Sequence, residues 1–210
     1  VQDRKGPWLD EICRTSRVRS SISISLKDTA AAEDEIGRAF EHFSGLVQKG
    51  QLSYVEDLAA CYQQRALNYS RANNAARSEE ELAKLADWTG QLVQSHPELD
   101  LRPIQARALL DRARIQVGHR DYNNAYNTFE EAGNLFRSLV VEEGRSELGP
   151  SFASAYMERG QMLLSAGHAA NAGQDLTQAA QILTILVNQG RQELNRKLSQ
   201  VALSRATAFI

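Results

Sequence analysis

The sequence lacks the features that mark membrane, secreted or disulfide-bonded proteins. No apolar run approaches the roughly 20 residues that a membrane-spanning helix needs, and no charged segment followed by an apolar one marks a signal peptide. Its two cysteines, Cys13 and Cys61, have neither CxxC spacing nor a nearby histidine. We therefore expect buried, reduced thiols in a cytoplasmic protein. Because the chain begins at Val1 and ends in an apolar stretch, we also expect a fragment of a longer protein.

Motifs for catalysis, metals and cofactors are also missing. The sequence contains no HExxH, GxxxxGK[ST] or GxGxxG, and no serine has a base at a spacing typical of a hydrolase. We interpret the four histidines as solvated turn residues, too far apart to share a metal: His42, His96, His119 and His168. The net charge of −2 does not decide about nucleic acid or membranes, but a pI near 6.1 and the few aromatic residues among the arginines argue against nucleic-acid binding. We expect neither a nucleic-acid nor a membrane partner. We expect no enzyme, no metal site and no cofactor.

Proline is scarce, with four residues in 210, and helix-favouring residues are abundant. Within this helix-favouring sequence one short motif recurs: a large residue, followed three positions later by arginine and four positions later by a small residue. Its arginines, Arg19, Arg65, Arg112, Arg159 and Arg205, are spaced 46, 47, 47 and 46 residues apart. A fixed period of this size is typical of a solenoid of stacked helical repeats.

The repeat predicts a single domain over residues 1–210. Its units are expected at about 7–50, 51–97, 98–145 and 146–190, with a terminal helix at 191–210. Each unit should be an antiparallel helix pair. Local signals for the helix bounds are Asp28 or Thr29 and Asp121 as N-caps, Ser78 with Glu81 as a capping box, and glycines 50, 118, 167 and 190 as helix ends.

The first helix is less clearly marked than the others. Trp8, Leu9, Ile12 and Cys13 recur at helical spacing and predict one apolar packing face. Ser21 to Leu26 alternates like a strand, but a lone strand has nothing to pair with, so we expect the end of a helix there. Trp88 is expected to pack internally or to anchor a neighbouring domain.

The repeat resembles the tetratricopeptide repeat family. The fourth unit matches the family's large and small positions best, and the third matches at the same offsets. The matching residues are Tyr156, Gly160, Gly167, Ala172, Leu176 and Ala179, and Leu109, Ala113, Asp121, Tyr122, Ala125, Phe129 and Ala132. Units of 46 or 47 residues exceed the usual length of about 34 and resemble the long-helix variant of large bacterial modular proteins. The resemblance implies an all-α, right-handed solenoid of antiparallel helix pairs.

The resemblance also implies a concave groove lined by the first helix of each pair. The positions carried over to this sequence, several of them arginine and none acidic, are Arg14, Arg17, Gln63, Leu67, Ser70, Arg71, Arg107, Leu110, Arg114, Val117, Ser154, Met157, Gln161 and Leu164. A mixed apolar and cationic groove suits an extended peptide with an acidic residue or a free carboxylate. The repeated arginines could grip such a ligand, or could pair with carboxylates of neighbouring helices.

Two functional hypotheses follow. The first is a non-catalytic interaction scaffold that binds a peptide, or another domain of the same longer chain, in the groove. The second is a structural spacer or self-association element that positions an effector or enzyme domain outside this sequence.

Overall fold

The chain is a succession of antiparallel helix pairs. A computed structural model describes the backbone of residues 6–208 and the side chains of residues 8–208. Within these residues it contains nine α-helices and no strand. The helices are α1 (Gly6–Ser25), α2 (Thr29–Gln48), α3 (Val55–Arg71), α4 (Ala75–Ser95), α5 (Arg102–Gly118), α6 (Tyr122–Arg137), α7 (Gly149–Ser165), α8 (Ala169–Asn188) and α9 (Asn195–Ala208). The expected all-α class of helix pairs is confirmed.

The entry to each later unit repeats as well. A single 3₁₀ turn precedes α3, α5, α7 and α9, at Leu52–Tyr54, Pro97–Leu99, Ser146–Leu148 and Gln192–Leu194 respectively. One second helix departs from the pattern, because α6 continues as a π-helical segment over Ser138–Glu142. No described helix is both long and apolar enough to cross a membrane.

The helices form two compact units, residues 1–85 and residues 86–210. In the first, α1 packs on α2 and α3 packs on α2, around a core that includes Ile36, Phe43, Leu58 and Cys61. In the second, α5 packs on α6, α7 on α6 and α8, and α9 on α8. A cluster around Met157, Leu176, Leu183 and Val201 fills the space between α7, α8 and α9.

Small residues set how closely the two helices of a pair approach. The Ser20 hydroxyl of α1 donates to the Ala32 carbonyl of α2 at 2.7 Å, and the Ser78 hydroxyl of α4 donates to the Ala66 carbonyl of α3 at 2.8 Å. These two contacts fall at equivalent positions of consecutive units, with donor and acceptor exchanged. In the fourth pair Gly160 takes the same place, and a Cβ there would lie 3.3 Å from the Ala172 carbonyl.

The capping box predicted at Ser78 and Glu81 is wrong. Helix α4 begins three residues earlier, at Ala75, and the Asn74 side chain accepts from the Arg77 amide at 3.3 Å. Ser78 therefore lies inside the helix, where its hydroxyl holds the neighbouring helix instead of a free amide. The caps predicted at Asp28 and Asp121 are confirmed, since their side chains accept from Ala31 and Asn124.

The turns between paired helices use a left-handed residue that is seldom glycine. Lys27, Asn73, Arg120 and Gly167 occupy equivalent positions with φ values of 66°, 57°, 61° and 82°. Helix α5 ends at Gly118, but the left-handed residue of that turn is Arg120. Gly50 and Gly190, with φ of 80° and 99°, serve as left-handed ends of α2 and α8, as predicted.

Helix α1 is helical through Ser25, so the strand-like alternation is the end of a helix, as expected. The predicted packing face is wrong, however. Cys13 is buried, whereas Trp8, Leu9 and Ile12 are exposed. Of the two tryptophans, Trp88 is half-buried on α4. The buried side of α1 instead consists of Asp10, Cys13, Ser16, Ser20 and Ile24.

Candidate binding surface on the first helices

Three of the five repeated arginines bind carboxylates within their own helix pairs. Arg19 contacts Glu35 at 2.7 Å, Arg65 contacts Glu81 at 3.2 Å, and Arg159 contacts Asp175 at 2.7 Å. In each case the carboxylate follows the arginine by 16 residues and is itself buried. The third helix pair has Thr128 at the position of this carboxylate, and Arg205 is exposed on α9. For these three arginines the geometry is that of a structural clamp.

Two of these arginines also stack on an aromatic ring of the preceding second helix. The Arg65 guanidinium lies 4.5 Å from the centre of the Phe40 ring on α2. That of Arg159 lies 5.1 Å from the Tyr126 ring on α6. A guanidinium held between a carboxylate and a ring joins one pair to the next. Burial lowers the pKa of Arg159, but the bond to Asp175 outweighs it, so the pKa stays above its ordinary value.

In the compact unit of residues 1–85, the predicted groove residues lie on α1 and α3, but their charge is partly neutralised. Arg14 donates to both carboxylate oxygens of Asp57 on α3, at 3.0 and 2.8 Å. This bond raises the pKa of Arg14 above its ordinary range. Arg71 donates to the Ser25 hydroxyl at 3.3 Å. Asp57 was not among the predicted groove residues, and its carboxylate makes this surface a mixture of charges.

The other predicted residues of this unit differ in accessibility. Leu67 is exposed, whereas Gln63 and Ser70 are half-buried. Arg17 is half-buried on α1, and among the described side chains no carboxylate lies within ion-pair distance of it. A ligand could therefore contact Arg17 and Leu67 without breaking an ion pair.

In the compact unit of residues 86–210, a second predicted groove arginine, Arg114, is already bound to a carboxylate. Arg114 of α5 donates to both oxygens of Glu158 on α7, at 2.7 and 2.8 Å, and to Asp111 at 2.5 Å. The bond to Glu158 raises the pKa of Arg114 although burial lowers it. Pairs between consecutive first helices, 43 and 44 residues apart, thus occur in both units.

Four further groove candidates in this unit divide by burial. Leu110 and Met157 are buried, and Met157 belongs to the core cluster between α7 and α9. A ligand on the surface cannot reach either side chain, so we exclude both from the proposed surface. Gln161 is exposed, and Leu164 is half-buried against the same core cluster.

Arg107, on the first helix α5, is an exposed arginine that takes part in none of the ion pairs described above. It occupies the register position of Arg14 two repeats later, five residues before the repeated arginine in each case. Arg14 binds Asp57 on the next first helix, whereas the residue at the corresponding position for Arg107 is Ser151. Among the described side chains no carboxylate lies within ion-pair distance of Arg107. Nearby in register, Lys197 of α9 donates to the buried Ser154 hydroxyl at 2.9 Å.

A polar cluster between α1, α2 and the turn before α3 was not predicted. The Tyr54 hydroxyl donates to one oxygen of Asp10 at 2.6 Å, and His42 Nε2 lies 2.7 Å from the other. Burial raises the pKa of Asp10, but these two bonds outweigh it and the net pKa lies below its ordinary value. The interpretation of His42 as a solvated turn residue is wrong, because it lies within α2 and its side chain is half-buried. In the sequence, the signal for this contact was the separation of 32 residues between Asp10 and His42, which lie on consecutive helices.

The thiols in this region are not poised for reaction. Burial raises the pKa of Cys61 to about 12, and burial with the neighbouring Asp10 carboxylate raises that of Cys13. Reactive cysteines need the opposite shift. Within residues 8–208 no three metal-binding side chains converge on a common point.

No family model and no curated protein matches this chain. Solved structures with similar folds exist. A crystal structure of Podospora anserina kinesin light chain-like repeats, described as nearly identical TPR-like repeats, superposes with a TM-score of 0.59 at 16% identity, covering 95% of this chain and 97% of that one. A variant of that protein, with methionine in place of one glutamine, gives 0.60 at 16% identity, with 95% and 96% covered. BtubC (BKLC) from P. vanneervenii gives 0.56 at 16% identity, with 94% and 83% covered.

Proposed function

We propose that this chain, whose fold is that of the tetratricopeptide-like repeats, is a non-catalytic scaffold for protein–protein interaction. Stacked helical repeats present extended surfaces on which partner segments lie. In this chain Arg14 with Asp57 and Arg114 with Glu158 join consecutive first helices, and these first helices carry the proposed surface. The ligand we propose is an extended peptide with an acidic side chain or a free carboxylate.

The observation that carries this proposal is the contrast between Arg14 and Arg107. Both occupy the same position of a first helix, but Asp57 neutralises Arg14, whereas the position of Asp57 is taken by Ser151 in the repeat that follows Arg107. A planar guanidinium that is exposed and without a carboxylate is suited to two parallel hydrogen bonds with a ligand carboxylate. Gln161 and Leu164 on α7 offer polar and apolar contacts along the same series of first helices.

The test uses the Arg107→Glu variant and a library of fluorescein-labelled peptides of about ten residues with free C-terminal carboxylates. We expect peptides selected by the wild-type chain to lose at least about tenfold in affinity with Arg107→Glu, and with the amidated form of the same peptide. Arg137→Glu, on the exposed surface of α6, is the matched control and should bind normally. Selected peptides that bind Arg107→Glu and Arg137→Glu equally would refute the proposed surface.

A structural spacer is the second candidate, and a specific observation favours it. Arg14 binds Asp57 and Arg114 binds Glu158, and both ion pairs join consecutive first helices. Two arginines that were predicted to bind a ligand therefore already hold neighbouring repeats together. A spacer would show no selection of peptides from the library and no effect of Arg107→Glu on any partner.

A further inference from the structure

Exposed apolar side chains are concentrated on one helix of the molecule. Ten large apolar side chains are exposed among the described residues, and six of them lie on α1 or just past its end: Trp8, Leu9, Ile12, Val18, Ile22 and Leu26. Trp8 is 76% exposed and Leu26 is 74% exposed. Removing apolar surface from water is favourable, so a whole row of exposed apolar side chains indicates a surface that becomes covered.

The row is regular, and we call it the α1 stripe: Trp8, Ile12, Thr15, Arg19, Ile22 and Leu26. Successive members are 4, 3, 4, 3 and 4 residues apart, and all six are exposed. At about 100° per residue these positions fall within an arc of about 80° on the helix surface. Alternation of three and four residues is the pattern by which two α-helices pack along a shared seam.

The same positions of later first helices are interface positions. In α7 and the turn before it they are Leu148, Phe152, Ala155, Arg159 and Met162, of which the four apolar residues are buried. This side of α7 meets α6, where Ala155 and Arg159 line a small cleft with Phe129 and Gly133. The α1 stripe therefore corresponds to a helix-packing face of the repeat, and none of the helices that the structure describes covers it.

We infer that the α1 stripe binds the α1 stripe of a second copy of this chain, with the two helices antiparallel about a two-fold axis. The stripe is self-complementary in this orientation. Trp8 comes opposite Leu26 of the second copy, Ile12 opposite Ile22, and Thr15 opposite Arg19. The three pairs are therefore symmetric about position 17 of each helix, as a two-fold axis requires. The small Thr15 leaves room for the long Arg19 stem, and the large side chains meet at both ends.

Charge selects the antiparallel arrangement. Arg19 is the one charged member of the stripe, and Glu35 already compensates it at 2.7 Å. A parallel, in-register pair would bring Arg19 against Arg19 and Trp8 against Trp8, whereas the antiparallel pair places each arginine beside a threonine. The inference is independent of the proposed function, because the stripe excludes Arg17, Arg107 and the other proposed ligand-binding residues.

Sedimentation of the 210-residue chain tests the association directly. At about 50 μM we expect twice the monomer mass, and dissociation on dilution. The double variant Ile12→Glu, Ile22→Glu should weaken the dimer at least about 100-fold, with the helical circular-dichroism signal unchanged because both side chains are exposed. Ile185→Glu, Leu203→Glu alters two other exposed apolar residues, on α8 and α9, and should leave the dimer intact.

Cysteine cross-linking tests the orientation. Ile12→Cys and Ile22→Cys variants, each alone under mild oxidation, should stay uncross-linked, whereas an equimolar mixture should give a disulfide-linked dimer. Mass spectrometry should find residue 12 joined to residue 22. The native Cys13 and Cys61 are buried and should not compete. A monomer at every concentration, cross-linking within either single variant, or equal dissociation by the α8–α9 control would overturn the inference.

Discussion

Removal of one carboxylate, Asp175, gives the most direct test of the arginine clamp. Arg159 and Asp175 have side-chain exposures of 14% and 9% and share two hydrogen bonds of 2.7 Å. In Asp175→Ala the guanidinium stays between the rings of Tyr126 and Tyr156, without its counter-ion. Breaking a buried ion pair from one side costs about 3–5 kcal/mol, because the remaining charge is uncompensated.

Two features of the site reduce this cost. Each ring under the guanidinium contributes about 0.5–1 kcal/mol of cation–π attraction, and the guanidinium retains some access to water. We therefore expect Asp175→Ala to lower the free energy of unfolding by about 2–4 kcal/mol. The double variant Arg159→Leu, Asp175→Leu removes both charges and should lie within about 1 kcal/mol of the wild type.

The same register supplies a matched control at the other end of the chain. Arg19 is 63% exposed, and its partner Glu35 also contacts Arg38 at 3.3 Å. Arg19→Ala should therefore cost less than about 1 kcal/mol. Urea unfolding followed by circular dichroism measures all four proteins. An Asp175→Ala cost below about 1 kcal/mol, or a double variant as unstable as the single, would refute the argument from buried charge.

Three further predictions concern packing, pH and thiols. Gly160→Ala should destabilise the chain by about 1–3 kcal/mol, because its Cβ would lie 2.9 Å from Leu176 Cγ. Gly133→Ala should instead stabilise it by up to about 1 kcal/mol, because outside the adjacent backbone of its own helix no atom would lie within 4 Å of the new Cβ; urea unfolding compares the two. Since the folded pKa of Asp10 lies below its unfolded value, its contribution to stability is present above the unfolded pKa and lost as the pH falls through the folded one. The stability difference between wild type and Asp10→Asn should therefore shrink in acid, and a constant difference in urea titrations at several pH values would contradict this. Both cysteines should react with a thiol reagent at neutral pH only as the chain unfolds, and rapid labelling of the native protein would count against their burial.

The sequence predicted the repeat and most helix bounds because these depend on local and periodic signals. The arginine period placed the helix pairs, and Asp28, Asp121 and Gly190 marked their ends. At Ser78 and Glu81 the local pattern misled, because both residues make contacts with α3 that a capping motif does not reveal. Local rules read one helix at a time, whereas these side chains are used between helices.

The candidate surface was predicted less well, for the same reason. Arg14 and Asp57 are 43 residues apart, three short of a repeat, so a comparison at the repeat period does not pair them. Met157 occupies the position of Arg17 and Gln63, but α9 packs over α7 and brings Met157 into the core. Which first-helix residues face water depends on these neighbours, and the pattern within a unit does not contain that information.

The two serine hydrogen bonds between paired helices have a consequence for how such a chain can be recombined. In the first pair the donor is Ser20 on the first helix, and in the second it is Ser78 on the second helix. A hybrid that joined α1 to α4 would set two hydroxyls against each other in a contact sized for one. The reciprocal hybrid of α3 with α2 would set Ala66 against Ala32 and have no donor at all. The third pair already has alanine at both positions, Ala113 and Ala125, so the contact itself tolerates the loss of the donor. A recombination that cuts between the helices of the first or second pair would therefore change how the two helices are hydrogen-bonded without preventing them from pairing.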